Sequence, residues 1–136
     1  MPKKLTEALA FDCIVAPQDV GTADVTGAWT SVADAKRFVV LAKAGAVTAA
    51  KILTVQLRQA QDAAGTGAKD LGAPVTSVGV GGAAPPDVEI EHYAADLDSK
   101  NGFTFVTAVL GIDENAKLGS AYLVRGDRRY VTFARR

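Results

Sequence analysis

The sequence predicts an all-β chain, an antiparallel sandwich or barrel, and three observations predict it. Along residues 51–59, Leu53, Val55 and Leu57 alternate with Thr54, Gln56 and Arg58, the period of a strand buried on one face. Short runs rich in β-branched and aromatic residues recur down the chain, among them "RFVVLAK" and "FTFVTAVLG". Clusters with turn chemistry, such as "SKNG", "VGVGG" and "PPD", separate them. Regular spacing of short strands is the mark of sandwiches and barrels.

Taken in order, "LAFDCIVA" and "GAWTSV" supply the first strands. "RFVVLAK", residues 37–43, is a solid apolar run bounded by charges and reads as a central strand. The connection "AGAVTAA" is of hairpin-loop size, so residues 37–43 and 51–59 are expected to be antiparallel neighbours. In "DVEIEHYA", Val88 and Ile90 alternate with Asp87, Glu89 and Glu91, while "FTFVTAVLG" is apolar on both faces. "SAYLVRG" and "RYVTFA" are expected to close the chain as a hairpin. The alanine-rich "TAAKIL" and "LRQAQDAA" carry helix propensity that competes with the strand pattern. "GVGGAAPP" cannot hold regular structure and is expected to be an exposed loop.

With 136 residues, 49% of them hydrophobic, the chain can bury one core. Residues 1–136 therefore read as a single sandwich domain, with an N-terminal arm of about residues 1–10. Fifteen basic and fifteen acidic side chains cancel, so no global field draws the chain to nucleic acid or to a membrane surface. No apolar run approaches the ~20 residues of a membrane helix. Glu7 and Asp12 break the first apolar stretch, which argues against a secretory signal and for synthesis in the cytoplasm. Cys13, the lone cysteine, is expected as a small buried hydrophobe.

Several motifs invite chemistry and fail its requirements. "GTGAKD", residues 65–70, lacks the glycine spacing and following helix of a phosphate loop, so it reads as a strand-ending loop. "GVGGAA" meets prolines where a dinucleotide-binding helix would have to continue. "DLDSKNG" resembles a calcium loop, but its third oxygen ligand falls one residue late and the closing glutamate is missing. Asn101 and Gly102 are better read as a turn with positive backbone angles. No catalytic residue, metal ligand or cofactor site is assigned. His92, the only histidine, falls on the strand face of Val88 and Ile90 and reads as a core or interface residue. Glu89 and Glu91 fall on the solvent face.

The strongest local charge lies at the end of the chain, where Arg125, Arg128, Arg129, Arg135 and Arg136 face only Asp127. With Tyr130 and Phe133 among them, Arg128, Arg129, Arg135 and Arg136 are the candidate partner-binding residues, because guanidinium groups make bidentate contacts and stack on rings. The tripeptide "RGD" at residues 125–127 reads as coincidence.

Four stretches together, "TGAWTSVADAKRFVVLAKAG", "LTVQLRQAQDAAGTGAKDLG", "DLDSKNGFTFVTAVLG" and "YLVRGDRRY", resemble a family of small structural proteins encoded in the head-gene region of tailed bacteriophages. The likeness runs from about Gly27 to Tyr130. It implies a jelly-roll-like β-sandwich and a non-enzymatic virion role, as a capsid decoration (cement) protein or minor capsid protein. The implied partner is the major capsid protein, with homo-oligomerisation, as a homotrimer, on the capsid surface. A head–tail connector or tail-associated protein is the alternative within that class. A carbohydrate-binding β-sandwich on the virion is the alternative outside it.

Overall fold

The computed structural model describes residues 8–126, together with Lys4. Its strands are β1 (Ala10–Asp19), β2 (Val25–Thr26), β3 (Thr30–Ser31), β4 (Arg37–Ala44), β5 (Ile52–Ala60), β6 (Lys69–Asp70), β7 (Val75–Val78), β8 (Val88–Tyr93), β9 (Phe105–Ile112) and β10 (Leu118–Gly126). Two short 3-10 turns, Ala94–Asp96 and Ser99–Asn101, lie between β8 and β9. The expected N-terminal arm falls largely outside the described residues, as does "RYVTFA".

One sheet has the order β1-β10-β4-β8 and the other β2-β9-β5-β6. β3 also pairs with β9, and β7 with β5. β2 and β3 thus act as one edge strand interrupted at residues 27–29, and β6 and β7 as a second. All pairings are antiparallel. The chain crosses between sheets after β1, β3, β4, β7, β8 and β9, which is the strand order of a jelly roll.

The alternation that marks β5 in the sequence is what builds the core. Leu53, Val55 and Leu57 are buried opposite Ile112, Leu110 and Ala108 of β9. From the other sheet, Ala121–Ala42–Val88 and Leu123–Val40–Ile90 form inward-facing rows across β10, β4 and β8. One cluster joins the two layers. Burying a leucine or valine side chain stabilises the fold by roughly 1.5–3 kcal/mol, and that outweighs the helix propensity of "LRQAQDAA". Residues 52–60 are strand.

Three expectations need correction. β4 and β5 are not neighbours: β4 pairs with β10 and β8, and β5 with β9, β6 and β7. The reason is Val47, which is buried in the core and bridges to Ala83, so the connection passes from one sheet to the other. "SAYLVRG" does not form a terminal hairpin within its sheet, because β1 and β4 occupy both edges of β10 as far as Arg125. Cys13 is exposed and not buried. Register shifts on either side of Val15 turn Ile14 and Val15 inward together, leaving Phe11 and Cys13 on the outer face.

Candidate interaction surfaces

Arg128, Arg129, Arg135 and Arg136 lie outside the described residues. Arg125, grouped with them by sequence, belongs elsewhere. Its Nη1 donates to Asp34 Oδ1 at 3.0 Å and to the Ser31 carbonyl at 3.2 Å, and its Nη2 stands 3.1 Å from Asp12 Oδ2. The Asp12 approach is an ion pair without hydrogen-bond geometry, and Arg125 Nε has no hydrogen-bond partner. The side chain is 17% exposed. The "RGD" tripeptide therefore offers no free guanidinium, because Arg125 is engaged at the end of the sandwich.

The loops at residues 61–72 and 94–103 meet beside β6. Asp62 accepts from the Thr66 hydroxyl and from the amides of Ala64 and Thr66. Those bonds, the Thr66 hydroxyl first, hold its carboxyl below the usual range. Gly65 and Gly67 take φ of +83° and +70°, and a Cβ on Gly65 would lie 2.6 Å from Trp29 Nε1. The glycine-rich segment is thus the turn from β5 to β6, closed on its own aspartate and covered by Trp29.

Lys69 Nζ pairs with Asp98 Oδ2 at 2.6 Å and lies 4.4 Å from the Phe103 ring centroid. Asn101 Nδ2 donates to both oxygens of Asp98, and Lys69, then Asn101, hold the Asp98 carboxyl below its ordinary value. Asp96 accepts from the Tyr93 amide and pairs with His92 Nδ1 at 2.9 Å. The carboxylates of the calcium-like motif are thus engaged from outside it, Asp98 by Lys69 of β6 and Asp96 by His92 of β8. Gly102 has positive φ, as the turn reading expects, but Asn101 does not. His92 shares the inner face with Val88 and Ile90 and tilts against Phe38 with centroids 6.1 Å apart. Among the described residues, no group of three or more His, Cys, Asp or Glu side chains could hold a metal. A recess of about 360 Å³ opens beside this loop, lined mainly by Val32, Ala94, Leu97 and Phe103.

The outer face of the β1-β10-β4-β8 sheet is the feature that sequence reasoning missed. Cross-strand register aligns Phe11, Val124, Val39 and Glu91 in one row and Cys13, Tyr122, Leu41 and Glu89 in the next. Phe11 is 56% and Tyr122 37% exposed, and Val124, Val39 and Leu41 are half-buried. A solvated sheet face usually alternates to polar residues; here the two central rows are apolar on β1, β10 and β4 and acidic on β8, with Arg37 and Lys43 of β4 in the flanking rows. The alternation needed to find it is present in "AFDC" and "SAYLVRG", but only the strand register brings those segments together.

Neither a family model nor a curated protein matches the sequence. Among solved structures, the chain is similar to one from infectious bursal disease virus Gx strain, at a TM-score of 0.48 and 10% identity over 85% of this chain. It spans 31% of that viral chain. It is also similar to a chain of Broad bean stain virus, with TM-score 0.45, 14% identity and coverage of 88% and 84% of the two chains. A cellulose-specific carbohydrate-binding module, CBM28, gives a TM-score of 0.44 and 11% identity over 84% of this chain and 73% of the module. Virus structures and a carbohydrate-binding module stand side by side, and likenesses at this level select neither.

Proposed function

We propose that the chain is a non-enzymatic structural protein of a tailed-bacteriophage virion, a cement protein that binds the major capsid protein on the outer capsid surface. The resemblance over residues 27–130 leads to a jelly-roll-like sandwich. The supporting observation is the strand order, β1-β10-β4-β8 against β2-β9-β5-β6. Reinforcing a shell needs contact area rather than a reactive group. A standard interface of ~1,600 Å², repeated over the lattice, stabilises it without any single strong contact.

In this reading Arg128, Arg129, Arg135 and Arg136 are the group that supplies charge-assisted hydrogen bonds to capsid carboxylates or carbonyls. Each exposed pair is worth about 0.2–1 kcal/mol, so the effect is collective. Arg125 takes no part, being engaged with Asp12 and Asp34. The proposal includes homotrimers, which light scattering tests directly; a monomer at every concentration contradicts that element.

The test of attachment is sedimentation of purified protein with capsids that lack it, at rising salt. Binding should occur and weaken with salt. A variant with all four arginines changed to alanine should bind less at the same salt. Unchanged occupancy and salt dependence for a folded four-alanine variant would remove the arginines from the contact, and no binding by the wild-type chain would remove the decoration role.

A further inference from the structure

Between Arg37 at one end of β4 and Lys43, paired with Asp87, at the other, two rows of the outer face of the β1-β10-β4-β8 sheet form an apolar floor with an acidic edge. Phe11, Val39, Leu41, Tyr122 and Val124 form the floor, with Cys13 at its margin. Glu89 and Glu91, both exposed, form the edge. No ion pair among the described residues engages either glutamate. Three strands spaced about 4.8 Å apart give the floor an area of roughly a few hundred Å². That falls short of the ~800 Å² per partner of a standard protein interface, so a short segment suits it better than a second folded domain.

The segment must bring apolar side chains and positive charge together. Residues 127–136, "DRRYVTFARR", have that chemistry: Tyr130, Val131 and Phe133 lie between Arg128–Arg129 and Arg135–Arg136. β10 delivers the chain to this sheet, since Gly126 is its last residue and pairs with Arg37. Ten residues reach up to ~33 Å, about twice the ~15 Å across four strands. Tethering also gives the segment an effective concentration in the millimolar range.

We propose that this face is the docking surface for residues 127–136 of the same chain, with Tyr130, Val131 and Phe133 covering the apolar floor and arginines pairing with Glu89 and Glu91. Two glutamates engage two of the four arginines and leave the other two for a partner. The inference stands whether or not the chain belongs to a virion.

Cys13, the only cysteine, lies on the face and reports its cover. Its rate of reaction with a chromogenic aromatic disulfide should rise several-fold when the chain is ended at Gly126. The rise should recur when Tyr130, Val131 and Phe133 are all changed to alanine, a variant that preserves the charges and so leaves the thiol's electrostatic surroundings alone. Glu89→Gln with Glu91→Gln should give a smaller increase. Circular dichroism checks that each variant is folded, and the triple substitution carries the test if the shortened chain is not. Equal rates in the full chain and the folded triple variant would overturn the proposal. A rate in the full chain that climbs on dilution would overturn the same-chain assignment, by showing that the cover comes from another copy.

Discussion

Arg125 Nη1 donates to Asp34 Oδ1 at 3.0 Å, and this bond ties the last residues of β10 to the segment that follows β3. The same guanidinium pairs with Asp12 on β1, so one side chain joins three parts of the chain. Removing a half-buried cation from two carboxylates costs their desolvation without return. Arg125→Ala should therefore lower stability by roughly 1–3 kcal/mol, measured by urea unfolding, with Arg125→Lys recovering part of it. A change within error for the alanine variant would make the cluster a solvated ornament.

Acid should weaken the fold. Asp19, Asp62, Asp96, Asp98 and Glu114 all have carboxyls held below their ordinary range, chiefly by hydrogen bonds from Thr22, Thr66, His92, Lys69 and Thr48 respectively. A depressed carboxylate contributes stability above its unfolded pKa and loses it as pH falls through the folded one. The thermal midpoint should hold from neutral pH down to about 5, then fall steadily below about 4. A level midpoint down to about pH 3 would show that these bonds persist just as well in the unfolded chain.

Gly65 should not tolerate a side chain. Its φ of +83° lies in the left-handed region, and a Cβ would press on the Trp29 indole. Gly65→Ala should cost about 1–2 kcal/mol for the backbone alone, and should shift the emission of Trp29, the only tryptophan. The same substitution at Gly102, where a Cβ would meet nothing within 4 Å, should leave that emission unchanged. Equal spectra for both variants would refute the stacking of Trp29 on the loop.

Chelation should leave the unfolding curve where it is. Asp98 is ion-paired with Lys69 and accepts from Asn101, and Asp96 is engaged by the His92 ring and the Tyr93 amide. A fall of several degrees in midpoint with chelator would reveal a bound ion.

Sequence made the strands legible and left their partners hidden. The period-two pattern of residues 51–59 identifies β5, and "RFVVLAK" identifies β4 as central, because each pattern is local. Pairing depends on where the connection goes, and a single buried residue, Val47, sends it across the sandwich. β7 was not anticipated, although "VTSV" is β-branched, because glycine and proline crowd both sides of it. Cys13 came out on the wrong face because the register shifts around Val15 break the alternation. The apolar outer face was invisible for a related reason: Phe11 and Tyr122 lie more than a hundred positions apart and meet only through the β1–β10 register.

The central claim, that this jelly roll is a virion component that covers the capsid, is tested most directly by its copy number in purified particles. If the proposed function holds, quantitative mass spectrometry of gradient-purified virions of a phage that carries this gene should find the protein in molar amounts comparable to the major capsid protein. Absence from the particles, or only the few copies that a single closed ring would hold, would contradict the account.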